Sequence, residues 1–474
     1  MAYEPIVQVQ ITISDVQVSV QGFGTPIFIT AHREFADRVA SYVSVADVLG
    51  TFESGSPAHI AATAVFGQTP SVNLMKIGRR DAELNLQLVY GVDGETWSID
   101  IQVGGVTQNF TATSSSGSSE GAVDTLVAAI NADPEISPQC IASENGANGI
   151  TLTTNTTATG AVNAFFTVST ATNNVGELLG MGVWVGTEDA GSCWAAITEE
   201  DNDFYFVSAD DNTQEFVIGS VGLARQVQSV DKLYFLSDKN TDNILTVPPN
   251  DGSVDATLFG KLAQANMTNT ITMYHQDAGD SDIGGSHANA LTYPELCYIG
   301  SNAPYQAGSV SWANIELTGP SGASGNPVTG KALTPTQKDR LNTRNSNYLE
   351  YDGGNIFARY GQTSGDEWID VVRGVHWQTA DITANLKALL LGQRGSKVNY
   401  DDGGIARIRE VIASSLQRGV NRQFLREFTV FVPRLVDIPP LERNTRILNY
   451  VSFVGVLAGA IHEVRVNGRV TVQG

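Results

Sequence analysis

Three aspartates in one loop-like stretch are the first candidates for metal chemistry. Asp277, Asp280 and Asp282 lie in Gln276–His287, and carboxylate oxygens are ligands that calcium prefers. Their spacing is not that of an EF-hand loop, and no glutamate closes the stretch. The sequence therefore favours a solvated acidic loop over a calcium site.

The residues that serve zinc and nucleophilic sites are dispersed. No helical i, i+4 histidine pair and no close cysteine spacing occurs among His32, His59, His275, His287, His376, His462, Cys140, Cys193 and Cys297. The chain lacks a Gly-x-Ser-x-Gly elbow, and its Gly319–Pro327 loop lacks the Lys-Ser/Thr of a phosphate loop. A triad of distant residues stays open, but these patterns predict a protein that is not an enzyme and binds no metal or cofactor.

Charge is distributed unevenly along the 474 residues. Residues 1–330 carry 9 Lys and Arg against 36 Asp and Glu, or −27, whereas residues 331–474 carry 19 against 14, or +5. A strongly acidic body would repel phosphate-rich partners, so we expect neither nucleic acid nor membrane as a partner. The basic last third could instead meet an acidic protein. The N-terminus lacks the pattern of a signal peptide, which predicts synthesis in the cytoplasm.

The chain is long enough for several domains, because single cores tend to split beyond roughly 250–300 residues. Alternating strands and helices predict a mixed α/β core with a largely parallel sheet, interrupted by a Thr-, Ser- and Asn-rich α+β stretch. The predicted elements include helices over Pro57–Phe66, Glu120–Ala132 and Asn212–Ala224 and a strand over Thr270–Tyr274. The predicted units are an N-terminal arm (1–22), a core (23–81 and 192–330), an inserted β-rich domain (82–191), a C-terminal α/β unit (331–454) and a C-terminal arm (455–474).

The C-terminal unit contains the most informative local pattern. We predict a strand over Trp368–Trp377, a helix over Thr379–Leu391 and a basic helix over Asp402–Leu425. On a helical wheel, Ile405, Ile408, Ile412 and Leu416 share one face, and the opposite side or its flank carries Arg407, Arg418 and Arg422. Two interpretations stay open: a solvated basic surface, or a docking face for an acidic partner.

Both chain ends show the alternation of exposed strands. The apolar positions are Val7, Val9, Ile11 and Ile13 at the N-terminus, and Val464, Val466, Val470 and Val472 at the C-terminus. The two ends could pair within one subunit, or each could add to a sheet of another copy through backbone hydrogen bonds.

Several motifs resemble the contractile tail sheath proteins of bacteriophages. Near the N-terminus the match is ESGSPAHIAATAVFGQTPSVNLMKIGR, and in the C-terminal unit it includes KVNYDDGGIARIREVI and the tail VLAGAIHEVRVNGRVTV. Asp401 departs from the pattern, in which threonine is usual. The remaining matching positions are Leu333, Thr334, Asn342, Asn347, Tyr348, Gly361, Ser364, Gly365, Trp368, Ile369, Asp370, Arg373 and Trp377.

The resemblance implies a structural subunit of the virion tail, assembled in the host cytoplasm. Such subunits stack as hexameric rings around a tail tube protein and are joined by terminal arms that complete a neighbour's sheet. The sheath contracts to drive the tube through the host envelope, with baseplate and tail terminator proteins as further partners. For such a subunit, the basic side of the helix with Arg407, Arg418 and Arg422 is the candidate tube-facing surface. An acidic, β-rich receptor-binding protein or adhesin is the alternative.

Overall fold

A computed structural model describes residues 23–87, 96–103, 106–113, 120–146, 149–155, 166–170, 183–276, 293–320, 322–326, 331–391 and 397–462. The elements in chain order are β1 Pro26–Ala31, β2 Val39–Tyr42, α1 Val45–Val48, α2 Pro57–Phe66, β3 Met75–Arg80, β4 Ala82–Gln87, β5 Thr96–Val103, β6 Val106–Thr113, α3 Glu120–Ala132, β7 Cys140–Glu144, β8 Gly149–Thr154, β9 Phe166–Thr170, β10 Val183–Gly186, α4 Ala190–Glu200, β11 Phe206–Ala209, α5 Gln214–Ile218, α6 Leu223–Gln228, β12 Leu233–Asp238, α7 Asp242–Leu245, α8 Leu258–Gln264, β13 Thr270–Tyr274, α9 Pro294–Asn302, β14 Ile315–Leu317, α10 Pro335–Thr343, β15 Asn347–Asp352, β16 Asn355–Arg359, α11 Ile369–Leu391, α12 Asp402–Asn421, β17 Leu425–Phe431, α13 Pro440–Asn444 and β18 Ser452–Leu457.

The body is built on a nine-stranded sheet with the order β14-β16-β15-β13-β12-β11-β1-β3-β2. Pairing is parallel from β3 through β1, β11, β12 and β13 to β15. Every residue of β1, β3, β11 and β13 is buried, as expected for parallel strands covered on both faces. The predicted mixed α/β fold with a largely parallel core is confirmed.

Helices cover both faces of this sheet and define two apolar clusters. On one face, α2 and α9 supply residues such as Ala61 and Leu296. On the other face, α4, α5, α6 and α8 supply residues such as Ile197, Val217 and Phe259. The helices are therefore positioned by apolar stripes that each bury against one side of the sheet.

Two smaller sheets lie between β3 and α4 in the chain. One has the order β10-β4-β8-β7 and the other has the order β6-β5-β9. Together with α3 they enclose a separate apolar cluster that includes Leu84, Trp97, Leu126 and Ile150. The predicted helix over 120–132 is confirmed as α3.

The C-terminal part adds β15 and β16 to the large sheet. The first half of α11 packs on that sheet's core through Ile369, Trp377 and Ala380, and its second half packs with α12 and the antiparallel pair β17–β18. Asp401 caps α12, because its side chain accepts a hydrogen bond from the Gly404 backbone N–H at 2.7 Å. The threonine-to-aspartate departure at this position thus keeps a good N-cap.

The prediction of a strand over Trp368–Trp377 is wrong, because this segment is the first half of α11. Buried side chains recur at Ile369, Arg373, Trp377 and Ala380, which is the three- and four-residue spacing of a helix. The short window of mixed apolar and charged residues resembled alternation. The helix predicted over 212–224 is also wrong in extent, since α5 ends before Gly219 and α6 begins at Leu223.

Candidate assembly surface

The two-stranded sheet β17–β18 is the most open element of the described fold. It pairs Leu425 with Leu457 at one end and Phe431 with Ser452 at the other, with a shift in register between Leu425 and Glu427. Within the described ranges each strand has one neighbour, so each keeps an outer edge of backbone N–H and C=O groups. Such edges are templates for a further strand.

One face of this sheet is anchored and the other is exposed. Val430 packs in a cluster with Ile382 of α11 and Leu416 of α12, and Phe428 and Phe453 lie partly buried against the same cluster. Phe431 and Val454, on the opposite face, are exposed large apolar side chains. The sheet therefore has a fixed inner side, two open edges and a partly apolar outer side.

Phe424 connects the sheet to the helices. It directly follows the turn after α12 and is buried, with its backbone N–H donating to the Gly419 carbonyl at 3.0 Å. Its ring occupies the space that a side chain at Gly374 or Gly308 would need. Its carbonyl accepts from Ala458 N–H at 3.0 Å, just beyond β18. Both strands of the sheet are thus fixed to α11 at this residue.

The described chain begins at a point fixed by a buried arginine. The Arg373 guanidinium of α11 donates to the carbonyls of Phe23 at 3.2 Å, Asn302 at 3.1 Å, Ala303 at 3.2 Å and Tyr305 at 2.9 Å. Burial lowers the pKa of Arg373 to about 10, so it stays charged at neutral pH. The first described residue, Phe23, is therefore fixed against α11.

The described chain ends near the same helix. The His462 ring packs edge-on against Trp368 at 4.5 Å, and its Nε2 lies 3.1 Å from Ser311 Oγ. The Asn314 side-chain amide donates to the His462 carbonyl at 3.2 Å. Trp368 directly precedes α11 and Arg373 lies in its second turn, so both ends of the described chain lie beside the start of one helix.

The predicted arm residues themselves lie outside the described residues. These are Val7, Val9, Ile11 and Ile13 in the first segment, and Val464, Val466, Val470 and Val472 in the last. Their strand addition stays a prediction. The described chain contributes the two anchoring points and the open sheet.

The three predicted tube-facing arginines have different surroundings. Arg418 makes an ion pair with Asp381 of α11 at 2.6 Å and donates to Ser415 Oγ at 2.8 Å. The Arg422 guanidinium lies 3.9 Å from the centre of the Trp377 ring. Arg407 is exposed and makes no ion pair with a described residue. A partner can therefore reach Arg407 most easily, while Arg418 and Arg422 also hold α12 against α11.

Burial accounts for the shifted pKa values of the titratable side chains inside the protein. Burial raises the pKa of the Cys140 thiol to about 12 and also raises the pKa values of Cys193 and Cys297. Burial lowers the pKa of His376 to about 3, and Tyr205 lies 2.9 Å from its Nδ1. Among the residues that the structure describes, no group of three His, Cys, Asp or Glu side chains could hold a metal ion. Asp277, Asp280 and Asp282 lie outside that set.

The sequence pattern did not predict the anchoring roles of Phe424, Arg373 and His462. Arg373 and Trp368 occur among the matched motif positions. Because a strand was predicted there, the sequence did not indicate that both lie at the start of one helix. A charged residue within an apolar helical face was the available signal for Arg373, because a buried arginine needs several acceptors. In a separate finding, no helix of the described part is long and apolar enough to cross a bilayer.

Comparison with known proteins gives no matching family model and no matching curated protein. Among solved structures, the chain is similar to a sheath tail protein from Desulfitobacterium hafniense, with a TM-score of 0.45 and 8% identity over 90% of this chain and 93% of that one. It is also similar to a chain from the anti-feeding prophage baseplate in its contracted state, with a TM-score of 0.49 and 10% identity over 98% and 96%. At these values neither similarity carries an argument about function, which has to come from this chain's own residues.

Proposed function

We propose that this chain is the structural subunit of a bacteriophage contractile tail sheath. The observation that carries the proposal is the open β17–β18 sheet, fixed to the same helix beside which both ends of the described chain lie. The sheath-like motifs over 50–80 and 331–474 support the same function. A polymer of this chain needs an open sheet and a strand that adds to it. The β17–β18 sheet provides the first, and the alternating apolar pattern at each chain end predicts the second.

Strand addition supplies the links between subunits. A terminal segment of one copy pairs with an open edge of β17 or β18 in another, so that backbone hydrogen bonds provide affinity. Val7, Val9, Ile11 and Ile13 would then face one side of the enlarged sheet together. The C-terminal positions Val464, Val466, Val470 and Val472 would do the same at another edge.

Stored conformational energy, rather than a bound nucleotide, drives contraction in this proposal. The arms act as tethers while the bodies rotate, and Arg373 keeps the origin of the N-terminal tether fixed. Subunits form hexameric rings that stack in a helix around the tail tube, with baseplate and tail terminator proteins at the ends. Arg407 is the first candidate for contact with an acidic tube surface. The protein belongs to the virion tail and is assembled in the host cytoplasm.

The proposal includes the division into units drawn from the sequence. Residues 82–191 are an inserted domain, which the separate apolar cluster with α3 supports. Residues 23–81, 192–330 and 331–454 form the body, and 1–22 and 455–474 are the arms. The first three residues of the C-terminal arm, Gly455 to Leu457, end β18, so the part that is free to reach another copy begins after them. Because the inserted domain has its own core, its removal is expected to leave the large sheet intact.

The first experiment is negative-stain microscopy of the purified full-length chain. We expect helical tubes, because a subunit with an open sheet and terminal arms that add to another copy's sheet forms an open polymer. A discrete oligomer at all concentrations would overturn the proposal and favour the receptor-binding or adhesin alternative.

A second experiment tests the arms while keeping their length. Serine at Val7, Val9, Ile11 and Ile13 is expected to abolish tubes and leave soluble subunits. The matched control places serine at the intervening Gln8, Gln10 and Thr12, which keeps the apolar side of the strand. Removal of residues 1–20 or 461–474 should act like the fourfold variant, and tubes of normal length from these truncations would refute strand exchange.

A further inference from the structure

The chain passes twice between the body and the proposed inserted domain. On the way out, β3 leads to β4 through Asp81, and on the way back β10 leads to α4 through a short connection. The two crossings lie side by side, because Ala82 pairs with Gly186 and the Thr187 N–H donates to the Asp81 carbonyl at 2.9 Å. Relative motion is the default for domains joined in this way, unless other contacts hold the crossings.

Two arginines of the body bind the first crossing. Arg33 is buried, and its Nε donates to the Ala82 carbonyl at 2.9 Å. Arg79 is also buried, forms an ion pair with Asp81 and donates to the Ala36 carbonyl at 3.0 Å. Because Arg33 and Ala36 lie between β1 and β2, the first crossing is bound to that segment of the body.

Two further arginines bind the second crossing at Glu188. The Arg38 guanidinium forms an ion pair with the Glu188 carboxylate at 2.7 Å, and Arg80 Nε donates to the Glu188 backbone carbonyl at 2.8 Å. The same carboxylate accepts from the Asp81 N–H at 3.1 Å, which connects the second crossing to the first. Arg80 is itself fixed to the body by an ion pair with Asp211 at 2.6 Å.

The end of β10 is also packed closely against the body. A Cβ atom at Gly186 would lie 2.4 Å from Arg80 Cζ, and the Arg80 guanidinium lies 4.1 Å from the centre of the Phe216 ring of α5. The Trp184 side chain hydrogen-bonds to the Glu34 carboxyl group and packs against the apolar cluster of the inserted domain. The attachment therefore extends from the crossing itself into the last strand of the inserted domain.

We propose that the inserted domain is a rigid extension of the body, because arginines of the body bind both crossings. We call the residues that form this attachment the arginine joint: Arg33, Arg38, Arg79, Arg80, Asp81 and Glu188. Arginine–carboxylate pairs demand a specific geometry, and separating the partners of a buried pair leaves a charge uncompensated. Bending at the crossings would require several such separations at once. The inference does not rest on the proposed function; in a sheath it means that each inserted domain turns together with its subunit.

Distance measurement between two spin labels on the full-length chain tests this inference. The labels are attached to Thr63→Cys on α2 of the body and to Asp124→Cys on α3 of the inserted domain, where both native side chains are exposed. The native thiols Cys140, Cys193 and Cys297 are buried and provide a low background. Labelled protein is diluted into unlabelled protein, so that only distances within one copy are recorded. We expect a single narrow distance distribution.

A substitution within the arginine joint should release the inserted domain. Glu188→Ala removes the carboxylate that connects Arg38 to the Asp81 N–H. We expect it to broaden the distance distribution by about twofold or more, as at a hinge. Glu350→Ala is the matched control, because Glu350 is a partly buried carboxylate that pairs with two cationic side chains in the C-terminal part of the body. It should leave the distribution unchanged.

Amide exchange in α3 shows whether the inserted domain of Glu188→Ala is folded. If α3 loses protection, Glu188→Gln replaces this variant, because its amide oxygen still accepts hydrogen bonds while the ion pair with Arg38 is lost. A broad distribution in the chain with an intact arginine joint would overturn the inference, since it would show that the domain moves freely. An equally narrow distribution in the folded Glu188 variant would also overturn it, since the joint would then not fix the orientation. Neither result depends on tube formation, so the sheath function is tested separately.

Discussion

Replacing Phe424 with alanine separates the anchoring of the β17–β18 sheet from its role in assembly. The Phe424 side chain is 6% exposed, and its ring fills the space above Gly374 of α11 and beside Gly308. Neither glycine can fill the resulting cavity with a side chain of its own. Phenylalanine-to-alanine changes in cores cost about 3–5 kcal/mol, and we expect a loss in this range.

Phe431, the last residue of β17, provides the matched control. Its ring is 52% exposed on the outer side of the sheet, so Phe431→Ala is expected to change subunit stability by less than about 0.5 kcal/mol. The same change removes an apolar contact available to an added strand. Phe431→Ala should therefore fold normally and form tubes poorly, whereas Phe424→Ala should lose stability.

Urea unfolding and hydrogen exchange on unassembled subunits provide the measurements. Phe424→Ala should lower the unfolding midpoint and speed amide exchange in β17, β18 and the first half of α11. Equal stability losses in the two variants would refute the assignment of inner and outer sides. Tubes from Phe431→Ala at the wild-type concentration would show that the outer side is not used in assembly.

Three further predictions concern single charged groups. Burial raises the pKa of Glu295 from 4.5 to about 7, so the native state holds the proton more tightly, and stability should fall as pH rises from about 4.5 to 7. Glu295→Gln should remove this pH dependence of the free energy of unfolding, which amounts to at most about 3 kcal/mol and is measured by urea unfolding at a series of pH values. An unchanged pH dependence would show that Glu295 is not the group responsible. Arg344→Leu leaves the buried Asp255 without its ion pair and should cost about 3–5 kcal/mol in the same assay, while Arg359→Leu, on a partly exposed pair with Glu350, should cost less than about 1 kcal/mol. Arg407→Glu should leave the unfolding midpoint unchanged and weaken salt-dependent assembly on the tail tube. Arg418→Gln should lower the free energy of unfolding by up to about 1 kcal/mol, because it breaks the ion pair with Asp381. Equal losses of the unfolding midpoint in the two variants would contradict the difference in surroundings of the two arginines.

Patterns with a clear period and a clear cap were predicted well from the sequence. The strand over Thr270–Tyr274 and the helix over Glu120–Ala132 have the predicted bounds. Helix α2 also has its predicted bounds, with Ser56 as the N-cap and Pro57 in the first turn. These elements are determined by local apolar spacing and capping, which the sequence displays directly.

Short windows with mixed periods were predicted poorly. The first half of α11 carries Ile369, Val371 and Val375 among charges, and a window of ten residues does not separate a strand from a helix there. The helix is selected because Arg373 can bury only where four carbonyls from distant loops converge on it. That environment is created by tertiary contacts with residues 23 and 302–305.

The sequence by itself determined the acidic body with a basic last third and the alternating strands and helices of a parallel core, and it gives both ends an alternating apolar pattern. Each follows from composition or from periodicity along the chain. Tertiary structure decided which surfaces are available. It buried Arg373, paired Arg418 with Asp381, and left Arg407, the edges of β17–β18 and apolar side chains such as Val247 and Leu441 exposed. Exposure depends on what packs against a residue from far away in the chain, and a periodic pattern holds no information about that neighbour.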